Sequence, residues 1–236
     1  MQFFCAKGIS RTDLKYLIKM EEELYSKYKF SKVIPKKVIG RKHILSATAS
    51  FQLLPYEILA INQNKCDLIY HQENFINMLN EIAVSEVIPK LEDNYETRVV
   101  HYFGTNIEVR ENAAERTVVI MFDKKVFEGQ ISNDWREMED QLTFSLSKEL
   151  RIHSGKGPKK SRVNILDENE VIYELEGWLS PAEQNYLEAR NPLEVTLKAM
   201  LQDVIMKIEQ SLLGKIKKFY VDFATSNNHI IVTTFR

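Results

Sequence analysis

The chain has 236 residues, 44% of them hydrophobic, with 32 Lys plus Arg set against 33 Asp plus Glu. That is long for one domain of about 100 to 150 residues, and the balanced charge supplies no global field towards nucleic acid or an anionic membrane. Cys5 and Cys66 lack CxxC or Cys/His spacing, which argues against a disulfide framework or a structural zinc site, and no run nears the roughly 18 apolar residues of a membrane span. A reduced, cytoplasmic chain without membrane insertion is expected.

In chain order, Ser10-Arg11-Thr12-Asp13 reads as a helix cap, followed by an apolar face of Leu14, Leu17, Ile18 and Tyr25. Strand-like sequence runs from Ser31 to Phe51, with a hairpin within Gly40 to Thr48. Pro55 opens a short helix. A longer one starts near Asn74, carries Ile76, Leu79, Ala83, Val87 and Leu91 on one face, and should kink or end at Pro89. Arg98 to Thr105 and Arg116 to Asp123 alternate as two strands about a polar turn.

The same order then recurs. Trp135, Met138, Leu142, Leu146 and Leu150 mark a helical face that stops near Ser154-Gly155. Ser161 to Leu166 and Val171 to Glu176 make a hairpin about Asp167 to Glu170. Ser180-Pro181-Ala182-Glu183 is a capping box with proline at the first helical position, and Asn191-Pro192-Leu193-Glu194 should start the next helix similarly. Its core face is Leu197, Leu201, Val204, Ile208 and Leu212, its stop Gly214. Lys217 to Ala224 and His229 to Phe235 close the unit as strands.

Four short matches link the halves: Pro35-Lys36-Lys37 with Pro158-Lys159-Lys160, Leu53 to Glu57 with Leu179 to Glu183, Met78 to Ile82 with Met200 to Val204, and Phe103-Gly104-Thr105 with Phe223-Ala224-Thr225. Their constant order points to a tandem duplication. The expected fold class is α+β, with modules over residues 8–124 and 128–236, each a helix, a β-hairpin, two helices and a second hairpin around an antiparallel sheet.

Chemistry-bearing residues are few. Gly155, Lys156, Gly157, Pro158, Lys159, Lys160 and Arg162 fall in a stretch without acids, and glycines that admit close approach beside lysines suit an anion or an acidic partner. The string lacks the spacer and the Gly-Lys-Ser/Thr ending of a phosphate-binding P-loop. A helix stop followed by a proline-rigidified loop of solvated lysines is the more ordinary explanation and is preferred over an anion site. Lys27, Lys29, Lys32, Lys36, Lys37, Arg41 and Lys42 form a basic stretch at the corresponding place in the first half. Glu57 and Glu183 sit at capping positions, which accounts for them without catalysis. His43, His71, His101, His153 and His229 include no i, i+4 pair, so no metal, cofactor or catalytic residue is assigned.

The second half resembles the MpsC-type domain, a bacterial family named from a sodium-translocating, membrane-potential-generating system. The resemblance is carried by Gly155-Lys156-Gly157-Pro158, the strand pair after it, Leu179 to Glu183, the helix ending at Gly214, and Phe219-Tyr220-Val221-Asp222-Phe223. The first half departs from it, with Val33-Ile34-Pro35 at the glycine turn and Leu54 at the capping serine. The resemblance implies a cytoplasmic, non-enzymatic accessory to membrane ion or inorganic-carbon transport, with a protein partner, and it carries over no catalytic residue. A sensor or enzyme for a small anionic metabolite at Gly155 to Lys160 is the alternative. Nucleic-acid binding ranks third, and self-association is left open. If one half holds the specific function, the second is expected to.

Overall fold

The structure, a computed structural model, describes residues 5–28, 33–52, 77, 80–105, 108–110, 113–128, 133–188, 192–224 and 228–236. The chain divides into two compact units, Met1–Gln130 and Ile131–Arg236. The fold is α+β, and the two units are similar modules.

In the second unit α3 (Asn133–Ser154) precedes the hairpin β7 (Lys160–Asp167) and β8 (Glu170–Glu176). Helices α4 (Pro181–Glu188) and α5 (Leu193–Leu212) then lead to the hairpin β9 (Lys218–Ala224) and β10 (His229–Phe235). The sheet is antiparallel throughout, in the order β7-β8-β10-β9. Leu142, Leu146 and Leu150, spaced one helical turn apart, bury one face of α3. They meet Leu197, Leu201 and Ile205 of α5 and the alternate strand residues Val163, Val171, Tyr173, Leu175, Ile230 and Val232. Lys160, Arg162, Glu174, Glu176 and His229 consequently lie on the other face of the sheet.

The first unit runs β1 (Cys5–Lys7), α1 (Arg11–Tyr28), β2 (Val33–Arg41), β3 (Ile44–Gln52), a π-helical turn Ala83–Val87, α2 (Ile88–Tyr95), β4 (Val99–Gly104), β5 (Glu108–Arg110) and β6 (Ala113–Phe122). Its sheet order is β1-β2-β3-β6-β4, with β5 also paired to β6. The four strands β2-β3-β6-β4 repeat the order of the second sheet, first hairpin to second. Leu17, Met20 and Leu91 cover Val38, Leu45, Ile120 and Phe122, and the Tyr95 ring meets the edges of Phe122 and Phe127 at 5.5 Å each. Gly40 is required there, because a Cβ would lie 2.5 Å from the Phe127 ring.

Several local expectations hold. Ser10 accepts the Asp13 amide at 3.1 Å and donates to its carboxylate at 2.7 Å, closing the first cap. Gly214, at φ 108, ends α5 with its amide on the Glu209 carbonyl at 2.9 Å.

Others differ. Of the two outcomes expected at Pro89, a kink or an end, the end does not occur. The π-helical turn before it shifts the pairing, so that Ile88 donates to the Ala83 carbonyl, and the chain continues helically to Tyr95 with proline in the first turn of α2. Helix α5 starts at Leu193 with Pro192 at its cap position; Asn191, the residue expected to cap it, lies outside the described residues. Strands β1 and β5 are additions: β1 pairs parallel to β2, and β5 hydrogen-bonds to β6 within the stretch expected as a polar turn.

Three repeat anchors can be checked in space. Lys37 and Lys160 both sit on the sheet face away from the core helices, and Ile82 and Val204 are both buried. Phe103 and Phe223 lie on opposite faces: Phe223 packs into the core, whereas Phe103 pairs with Val119 and it is the neighbouring Tyr102 that packs inward. A bulge between Val99 and His101 inserts one residue, and a one-residue slip turns every later side chain over. The fourth anchor, Leu53 to Glu57, and the short helix expected at Pro55 lie outside the described residues.

Candidate functional site

The basic turn is built where α3 stops. Gly155 takes φ 72, a left-handed conformation that costs other residues, with open space where a Cβ would stand. The Ser154 hydroxyl donates at 2.7 Å to the Leu150 carbonyl and at 2.7 Å to the Lys156 carbonyl, tying the last helical turn to the loop. The indole of Trp178, 2% exposed in the core, donates to the same Lys156 carbonyl at 3.3 Å. Gly157 faces the Arg151 guanidinium, 3.4 Å from where its Cβ would be.

The turn and the capping box, separate motifs in the sequence, form one unit in space. Lys156 Nζ donates to Glu183 Oε2, and that oxygen also accepts the Ser180 amide and the Ser180 hydroxyl at 2.7 Å each. Ser180 in return accepts the Glu183 amide at 3.4 Å, closing the reciprocal box at the start of α4. Burial pushes the Glu183 carboxyl up, but the hydrogen bonds from Lys156 and Ser180 outweigh it, and its pKa lies below the usual carboxylate value. Glu183 is therefore a capping carboxylate that also anchors the turn. Glu57, its expected partner in the first unit, lies outside the described residues.

The remaining basic residues are also placed. The Lys159 stem lies over Gly177, whose Cβ would meet its Cδ at 2.7 Å, so glycine is needed on that side. Lys160 Nζ reaches both oxygens of Glu176, at 3.0 and 3.2 Å. Arg162 is exposed, directly across from Glu174. Two of the three lysines are thus held by carboxylates of their own unit. A free anion would have to displace Glu183 or Glu176 to take both. The arrangement is better suited to presenting a fixed, charged ledge than to enclosing a small ligand. The surface depression lined by Asp203, Met206, Lys207, Gln210 and Ser211 includes no residue of the turn.

In the first unit, Lys36 pairs with Glu115 at 2.9 Å and Lys37 lies in β2, while Lys29 and Lys32 fall outside the described residues. The sequence has no glycine between Tyr28 and Pro35.

Residues 135–236 match the family model described as Na+-translocating membrane potential-generating system (MpsC). The MpsC match covers all of the second unit except its first few residues and contains the whole turn, the cap and both hairpins. Comparisons with curated proteins and with solved structures found no match. No described helix is long and apolar enough to cross a membrane.

Two further groups in the MpsC-matching unit escaped sequence reasoning. Glu209, fully buried in α5, accepts hydrogen bonds from the Tyr173 and Thr234 hydroxyls at 2.6 Å each and pairs with Arg236 at 3.4 Å. Burial raises the Tyr173 pKa well above its ordinary value, and the neighbouring Glu209 adds to the effect. A signal existed, since Glu209 continues the row Leu197, Leu201, Ile205 at steps of four and so had to face the core. The second group is Glu174, Glu176 and His229, whose donor atoms lie within 4.8 Å of one another. Nothing in the linear spacing announces it, because it depends on which strands pair.

Proposed function

We propose that the chain is a non-catalytic accessory protein of a bacterial membrane ion-transport system, acting at its cytoplasmic side, and that the second unit binds a protein component of that system through the Gly155 to Arg162 ledge. The observation that carries this reading is the match of residues 135–236 to a family described by a Na+-translocating, membrane-potential-generating system. The ledge supports it. Lys156 is fixed to the helix cap, Lys160 to Glu176, and Lys159 and Arg162 are exposed beside them, so the turn meets a partner with little further ordering cost.

The first unit is read as a diverged duplicate of the second. The shared sheet order and the matching placement of Lys37 with Lys160 support that descent, while the missing glycine turn leaves the specific contact with the second unit.

Affinity capture from native membranes tests the proposal. The wild-type chain is expected to recover a transport component, and Lys156→Gln/Lys159→Gln/Lys160→Gln to lose it while keeping its fold by circular dichroism. Repeated capture without any such component overturns the reading. A saturable thermal shift with bicarbonate or a nucleotide, with no protein recovered, would reassign the turn to a small anion; ligand at 100 times its Kd adds about 2.7 kcal/mol.

A further inference from the structure

The pairing of β8 with β10 assembles a set of side chains that no linear motif predicts. Glu176 lies directly opposite His229, and Glu174, two residues earlier on β8, shares the same face. Their three donor atoms fall within 4.8 Å of one another. Around a tetrahedral ion with bonds of about 2.0 to 2.2 Å, ligand atoms stand about 3.3 to 3.6 Å apart, so modest side-chain rotations complete the set. Two neighbouring glutamates on a strand are ordinary; an imidazole in register with them is not.

The backbone beneath this group is held from both sides. Asn228, at φ 50, accepts the Leu179 amide at 3.0 Å and donates to the Leu179 carbonyl at 2.6 Å, and Gly177 donates to the Asn228 carbonyl at 2.8 Å. The end of β8 and the start of β10 are thereby locked beside the Glu176 and His229 pair. Asn164 Nδ2 donates to Glu174 Oε1 at 2.6 Å, which orients the carboxylate. The Lys160 and Glu176 side chains are 47% and 40% exposed, so the group is reached from solvent at that edge.

We infer that Glu174, Glu176 and His229 form a divalent-cation site. One imidazole nitrogen with two carboxylates suits Zn2+ or a neighbouring transition ion, whereas Mg2+ and Ca2+ favour oxygen-only sets. Lys160 is the internal competitor of the site. Its ammonium reaches both Glu176 oxygens in the metal-free chain and must give up the oxygen that the ion takes, which loosens its hold on the carboxylate. Loading therefore loosens one lysine of the ledge.

Calorimetric titration of the full chain with Zn2+ alone, paired with visible absorption on Co2+ addition, tests the site. One equivalent is expected to bind. His229→Gln and Glu176→Gln should each weaken binding at least about tenfold, and Lys160→Gln should strengthen it by removing the competitor. Glu176 is half-buried at the edge of the group, its side chain 40% exposed, so its substitution reads binding with little threat to the fold, and thermal melting screens each variant. Absence of saturable uptake in both the wild type and Lys160→Gln, or unchanged affinity in a folded His229→Gln variant, would overturn the inference.

Discussion

The two units share a sheet order and differ in the charge they bury. In the second, Glu209 lies in the core on the helix side of the sheet, one oxygen accepting the Tyr173 and Thr234 hydroxyls and the other 3.4 Å from Arg236 Nε. In the first, the buried charge is positive: Arg116 of β6, 3% exposed, donates to Asn80 Oδ1 at 2.7 Å and to the Thr105 carbonyl at 3.1 Å. Burial lowers the Arg116 pKa and raises that of Tyr102, whose hydroxyl shares the Asn80 acceptor at 3.2 Å. One strand arrangement therefore accommodates opposite charges, each neutralised or solvated by its own unit. Topology sets where a core lies; the individual partners set what the core tolerates.

If this contrast is correct, the largest effect belongs to Glu209→Ala. It strands Arg236 and two buried hydroxyls and should cost roughly 3 to 5 kcal/mol by chemical denaturation. A loss below about 1 kcal/mol would mean the network is bystander packing.

Gly104→Ala probes the first unit in the same way. A Cβ there would lie 2.1 Å from Arg116 Nη2, and because the guanidinium is buried and hydrogen-bonded it has no free direction in which to move. A loss of about 1 to 3 kcal/mol is expected, reduced when Arg116→Met is added. Equal costs in the two backgrounds would show that the clash is relieved elsewhere.

The smallest effect concerns the cap beside the ledge. The folded pKa of Glu183 lies below its ordinary 4.5, so folding favours the ionised form. Its contribution is fully present above the unfolded value and is lost as pH falls through the folded one. Glu183→Gln should cost about 1 kcal/mol or less at neutral pH, and should flatten the acid limb of the stability profile below about pH 4.5. An acid limb identical to that of the wild type would detach the cap from the turn.

How far the sequence could be read depended on the range of each interaction. Helix α3, the β7 to β8 hairpin, the Ser180 cap and the Gly214 stop were all legible, because periodicity, capping and turn chemistry act within a few residues. The bond between Lys156 and Glu183 spans 27 residues and that between Tyr173 and Glu209 spans 36, beyond any local pattern. At Pro89 the sequence left two outcomes open, a kink or an end; the helix breaks its pairing in a π-helical turn instead of ending, and the packing of Leu91 onto the first core favours continuation.

By itself the sequence determined the order of helices and strands in the second half, the two-module plan and the glycine turn, since each follows from side-chain period and backbone freedom at neighbouring positions. Only tertiary structure decided which lysine meets which carboxylate, that Glu209 meets Tyr173, Thr234 and Arg236, and that His229 stands beside Glu174 and Glu176. Those contacts follow from strand register, where a shift of one residue exchanges the two faces of a strand, and register is settled by the whole core at once.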